Sequence, residues 1–139
     1  MPYASGRTFF DADSHIMERP DFIRDFADAT LRDRIAPING GGQGKTSTAW
    51  EEVVKAPGHT PERVEEMVAL GDDLISGPKG YQALGAFNRD ERIQALDQLG
   101  FDRQLVFATF STGAAFHNDD PVVAYGAAAA HNRAMADFC

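Results

Sequence analysis

The stretch that most restricts how this chain can fold runs from Asn88 to Phe110. Asn88, followed three residues later by Glu91, has the form of a capping box. Ile93, Leu96 and Leu99 recur at helical spacing, and Gly100 suits a left-handed stop. The run Leu105-Val106-Phe107-Ala108-Thr109-Phe110 then continues apolar without alternation. That pattern predicts a strand covered on both faces, as in a parallel sheet flanked by helices. Helix, tight turn and buried strand make half of a βαβ unit, so the expected class is α/β.

The flanking segments fit the same class. Thr8-Phe9-Phe10 predicts a short strand that runs into Asp11-Ala12-Asp13-Ser14-His15. Pro20 to about Leu31 predicts a helix, with Phe22, Ile23 and Phe26 inward. Residues 37–49 and 72–86 have loop composition. Thr60 and Pro61 predict a capped helix start, with Val64, Met67, Val68 and Leu70 inward and Gly71 as the stop. Asp120 and Pro121 open a last helix, with Val123, Ala127, Ala130, Met135 and Phe138 on one side. No Gly, Pro or strand follows before Cys139, so the expectation is a fragment whose natural chain continues.

Composition excludes several functions. With 43% hydrophobic and 24% charged residues, the 139-residue chain is globular in character. Its net charge of −8, with 13 basic side chains scattered among 21 acidic ones, argues against a nucleic-acid partner. No run of about 18 apolar residues exists to span a bilayer, so no membrane partner is expected. The N-terminus lacks the apolar stretch of a secretory signal, and the single Cys139 has no internal disulfide partner. Together these features set a cytoplasmic expectation.

Chemistry concentrates at the first strand. Asp11, Asp13 and His15 stand at i, i+2 and i+4, and alternate side chains of an extended chain point the same way. Two carboxylates and an imidazole on one side suit a divalent metal. The bland alternative is that Asp at a strand end simply makes turns. Gly44-Lys45-Thr46 matches the end of a phosphate-binding loop, but Asn39 stands where that motif needs its first glycine. His117-Asn118-Asp119-Asp120 follows a strand, where α/β folds build sites, although such a loop can equally just cap a helix. His59, His131 and Cys139 form no recognisable nucleophile–base pair.

Phe10-Asp11-Ala12-Asp13-Ser14-His15-Ile16-Met17-Glu18-Arg19-Pro20-Asp21 resembles the first strand and loop of the amidohydrolase-related family, in the branch of aminocarboxymuconate-semialdehyde decarboxylase and the aromatic-acid decarboxylases. That family often opens Asp-x-His-x-His, or with an acidic residue replacing the first histidine. Asp11 matches the leading Asp, Asp13 stands at the first-histidine position and His15 is the second. Leu31-Arg32-Asp33-Arg34-Ile35-Ala36-Pro37 is similar to the family's Arg-Asp-Arg-x-x-Pro segment. Arg92 through Gln104 resembles its helix before the second strand. Asn132-Arg133 to Phe138-Cys139 resembles the end of a later helix, with Ala134 replacing an expected aromatic.

The resemblance implies the N-terminal part of a single (β/α)8 TIM-type barrel domain, helix-rich with long loops and incomplete at 139 residues, since such barrels need about 250. It implies metal-dependent hydrolysis, or nonoxidative decarboxylation, of a small carboxylated, aromatic or cyclic substrate. Asp13 and His15 would bind one Zn2+ or Mn2+; a carboxylate in place of an imidazole keeps Mn2+ competitive. Asp11 would orient the strand end, and Glu18, Arg34 and His117 would lie toward the substrate. The catalytic residues are expected beyond residue 139, which makes the isolated chain an inactive fragment, and the complete enzyme a candidate homo-oligomer. The competing readings are a noncatalytic interaction domain derived from such an enzyme, and a nucleotide-binding protein using Lys45.

Overall fold

The computed structural model of the protein describes residues 2–39 and 56–139. The Gly44-Lys45-Thr46 motif lies outside these residues. The rest divides into two compact units, residues 2–16 with 56–107 and residues 17–39 with 108–139. The architecture is of the α/β class: helices accompany a small parallel sheet.

In the first unit, strands β1 (Phe10–Ile16) and β2 (Arg103–Ala108) pair in parallel. Parallel strands need a crossover connection. It contains helix α1 (Pro61–Val68), 3-10 turns at Gly71–Ser76 and Gly80–Gln82, and helix α2 (Arg89–Leu99). Local chemistry sets both helix starts. Thr60 Oγ1 accepts the Arg63 N–H at 3.3 Å, and Asn88 Oδ1 accepts the Glu91 N–H at 3.0 Å. Gly100 closes α2 at φ +77°, and a Cβ there would lie 2.4 Å from the Ala4 carbonyl oxygen, so glycine is required on both counts.

Met67, Leu74, Leu84 and Ala95 form the core of this unit, with Val64, Val68 and Leu99 packed against it. Two expectations need correction. Leu70 and Ile93 are exposed, and the inner side of α2 is carried by Glu91 and Ala95 instead. The second concerns β2, which is not covered on both faces: Leu105 is 56% and Phe107 43% exposed. Arg92 of α2 reaches Ser14, and Ser14 and Ile16 are buried. The uncovered face carries His15, whose ring lies 5.9 Å from that of Phe107.

In the second unit, helices α3 (Ser111–Phe116) and α4 (Pro121–Phe138) pack together. Asp120 caps α4, its Oδ1 accepting the Val122 N–H at 2.8 Å. Val123, Ala127, Ala130, Ala134 and Phe138 form the buried stripe, so Ala134 takes the inward place expected of Met135. Ile23, Ile35 and Ile38 pack on the first three of these. The stripe's small side chains admit a close neighbour, Leu31, whose Cδ1 would meet a Cβ on Gly126 at 2.2 Å.

The helix expected from Pro20 to Leu31 is replaced by 3-10 turns at Arg24–Phe26 and Arg32–Arg34. Ala27 is extended, with ψ 150°. Tertiary partners have taken over groups a helix would use. The Phe26 carbonyl accepts from the Arg133 guanidinium at 2.6 and 2.9 Å, and the Pro20 carbonyl accepts the Ile38 N–H at 2.8 Å. Among the described residues no helix is long and apolar enough to cross a membrane.

Candidate functional site

Asp13 and His15 occupy alternate positions near the end of β1, and strand pleating sends both side chains the same way. Asp13 Oδ1 and His15 Nε2 stand 3.5 Å apart, with the side chains 89% and 49% exposed. Two ligands of a tetrahedral ion, each at about 2.1 Å, lie roughly 3.4 Å from each other. The separation is compatible with two neighbouring corners of one coordination sphere and equally with a direct Asp–His ion pair. Among the described residues no three His, Cys, Asp or Glu side chains gather around one point, so the pair is a two-donor arrangement.

Asp11 braces the strand. Its Oδ1 accepts the Asp13 N–H at 3.1 Å and its Oδ2 accepts from Gln104 Nε2 at 3.0 Å, tying β1 to β2 beside the pair. Asp11, Asp13 and His15 all line an open cleft of about 300 Å³, enough for one small molecule. Its other wall is apolar, with Leu74, Leu84 and Ala95, and Lys79 brings a cation whose Nζ donates to the Ile75 carbonyl at 2.6 Å. Arg92 frames the cleft from α2. Its Nη1 donates to Ser14 Oγ, its Nη2 to the His15 carbonyl and its Nε to the Gly85 carbonyl, each at 2.7 Å. The His15 backbone carbonyl is thus held by a guanidinium.

Glu18, Arg34 and His117 lie in the second unit. Glu18 is fully buried, and its carboxylate is taken up by three successive backbone amides: Thr109 at 3.0 Å, Phe110 at 3.1 Å and Ser111 at 2.9 Å. Those bonds anchor the chain and leave the carboxylate committed to backbone. Arg34 Nη2 meets Asp120 Oδ2 at 2.6 Å, supporting the helix cap. The Val122 amide and then Arg34 hold the Asp120 carboxyl below its ordinary range. His117 is exposed just after α3. His131 packs edge-on against Phe22, and its two ring nitrogens are buried with no hydrogen-bond partner among the described residues. Cys139 is exposed.

A buried pair in the first unit was not visible in sequence. His59 Nδ1 lies 2.6 Å from Glu91 Oε2, and His59 Nε2 lies 2.8 Å from the Tyr81 carbonyl oxygen. The His59 and Gly85 amides donate to the same carboxylate at 2.7 and 3.3 Å. Gly58 permits this approach, since a Cβ there would fall 2.7 Å from Glu91 Oε1. Burial opposes charge on both groups. The mutual hydrogen bond, backbone hydrogen bonds and opposite charge outweigh it, holding His59 above its ordinary 6.5 and Glu91 below its ordinary 4.5. The available signal was Glu91 itself: Asn88 caps its amide, but Glu91 turns to His59 rather than completing a reciprocal capping box.

No family model matches the chain, and no curated protein or solved structure matches it.

Proposed function

We propose that this chain forms the opening of a metal-dependent, amidohydrolase-type (β/α)8 barrel enzyme, a hydrolase or nonoxidative decarboxylase of a small carboxylated substrate. The observation that carries this reading is the Asp13–His15 pair, 3.5 Å apart on an uncovered strand face. Two further features support it. β1 and β2 are parallel neighbours joined by a connection that ends in a helix, the repeating unit of such barrels. The His15 ring also lies beside that of the exposed Phe107, so this side of the sheet, with Leu105, is where a barrel interior would be.

Asp13 and His15 would hold one Zn2+ or Mn2+, which supplies Lewis acidity for either reaction. Asp11 and Arg92 act through the backbone: one holds the Asp13 amide, the other the His15 carbonyl. The cleft beside them accepts a small molecule, with Lys79 available to a negative group. In a complete barrel the remaining ligands and the acid–base groups come from later strands.

Two donors bind an ion weakly, so the expected result for this chain is measurable but modest Zn2+ affinity and no turnover. Calorimetric titration with Zn2+ and Mn2+ checks it. Loss of an outer partner of a metal ligand already costs about 10–100-fold in affinity, so Asp13→Ala and His15→Ala should each cost at least that much. Asp11→Asn should cost less, and His117→Ala nothing. Zn2+ binding that survives both Asp13→Ala and His15→Ala would sink the proposal and bring forward a noncatalytic interaction domain.

A further inference from the structure

The His59 ring faces two acceptors: a carboxylate oxygen at 2.6 Å on one nitrogen and a carbonyl oxygen at 2.8 Å on the other. A neutral imidazole has a single N–H and can serve only one of them. Only the doubly protonated ring satisfies both. We infer that His59 is a proton-controlled latch on the loop that carries Ala83 and Leu84 into the cleft beside Asp13 and His15, closed while both ring nitrogens carry protons and released when one proton is lost. This inference stands whether or not Asp13 and His15 bind metal.

The latch joins three parts of the first unit. Through the Tyr81 carbonyl it holds the Gly80–Gln82 turn, and through Glu91 it holds the Gly85 amide. Ala83 and Leu84, between these two points, line the cleft. When the ring is neutral its remaining proton goes to the carboxylate, the stronger acceptor. The unprotonated Nε2 then opposes the Tyr81 carbonyl oxygen, lone pair against lone pair, in a buried setting where nothing screens the repulsion. The turn loses the hydrogen bond from the ring, and the adjoining cleft wall loosens.

Among the described residues, few charged and titratable groups surround the ring. Glu91 on α2 favours the imidazolium, Arg63 on α1 opposes it, and Tyr81 faces it through its carbonyl; the neutral Phe87 ring packs at 4.9 Å. The folded pKa of His59 lies above its ordinary 6.5, so its contribution is complete below that value and is lost as pH rises through the raised pKa. The folded pKa of Glu91 lies below its ordinary 4.5, so its contribution is complete above that value and is lost as pH falls through the lowered one. The latch therefore holds between the lowered pKa of Glu91 and the raised pKa of His59, and opens as pH rises through the latter.

The test uses the full 139-residue chain, labelled with 15N. Long-range 1H–15N spectra report the protonation of each His59 ring nitrogen between about pH 5 and pH 9, and amide exchange is followed at Ala83 and Gly85. The expected result is two protonated nitrogens at about pH 5, with the first ring proton lost only above the ordinary histidine value of 6.5. As the ring loses its proton at higher pH, exchange at those amides should accelerate about tenfold beyond the intrinsic trend. Glu91→Gln should move ring deprotonation to lower pH, and His59→Gln should abolish the linked acceleration. Should His59→Gln not fold, the wild-type ring spectra and Glu91→Gln still decide. A single-tautomer neutral ring at about pH 5 overturns the inference, as does amide exchange that ignores the ring's titration.

Discussion

Gly85→Ala should unfold the first unit or lower its melting temperature by roughly 10 °C or more, for a loss of about 3 kcal/mol. Gly85 sits at φ +72°, where a side chain costs about 1–2 kcal/mol. The larger cost is contact. A Cβ there would lie 2.4 Å from Arg92 Cα and 2.6 Å from Arg92 N, and helix backbone cannot rotate aside as a side chain can. The same residue is gripped at both ends, its amide by Glu91 and its carbonyl by Arg92 at 2.7 Å. Displacing it therefore strains the latch and the guanidinium that fixes His15 together. Gly71→Ala is the control, with φ +57° and nothing within 4 Å of an added methyl group, so it carries the torsional cost alone. Thermal melts of both variants by circular dichroism decide the matter. Equal losses would mean that loop and helix are not in such close approach.

What could be read from sequence was what is settled within a few residues. Thr60, Asn88 and Asp120 cap helices because a short side chain reaches an amide two or three residues on, which spacing reveals. Gly100 ends α2 for an equally local reason. The segment from Pro20 to Leu31 has helical spacing too, yet its carbonyls are claimed by Arg133 and by the Ile38 amide, from elsewhere in the chain. Apolarity likewise says that a side chain avoids water and not which neighbour covers it. Ile93, Leu105 and Phe107 look like core residues in sequence and are exposed, while Glu91 and Ala95 hold the inner side of α2.

The candidate site divides along the same line. A strand's two-residue period is enough to expect Asp13 and His15 on one side, and their side chains do meet at 3.5 Å; the bond from Gln104 to Asp11 has no such local signal. Arg92 was legible only as part of a family-like helix. Its grip on Ser14 and the His15 carbonyl spans 78 and 77 residues, a distance no local pattern encodes. His59 and Glu91 are 32 residues apart, and each taken singly had an ordinary explanation as loop histidine and capping residue. Glu18 and Arg34 carry charge near a family-like motif, which suggests a role at a substrate. Their partners, the amides after β2 and the cap of α4, become visible only once the chain has folded.

Glu18→Ala should be the most damaging single change in the second unit, with an expected loss of about 4 kcal/mol. The carboxylate is fully buried and receives three successive backbone N–H groups, those of Thr109, Phe110 and Ser111. A hydrogen bond to a charged group contributes about 1.5–3 kcal/mol, and each donor left buried without a partner costs about 1–3 kcal/mol. Truncation removes the acceptor for all three amides at once. Ser111 is itself fully buried, so the amide it contributes has little access to replacement water. Glu18→Gln separates packing from hydrogen bonding because it keeps nearly the same volume. It retains one acceptor oxygen but turns an NH2 group toward amides that also donate, so it should recover less than half of the loss. Hydrogen exchange at Thr109, Phe110 and Ser111, together with thermal melts, gives the readout: protection at all three should fall in both variants, most in Glu18→Ala. Full protection in Glu18→Gln would show that shape, rather than the carboxylate's acceptors, holds this part of the chain.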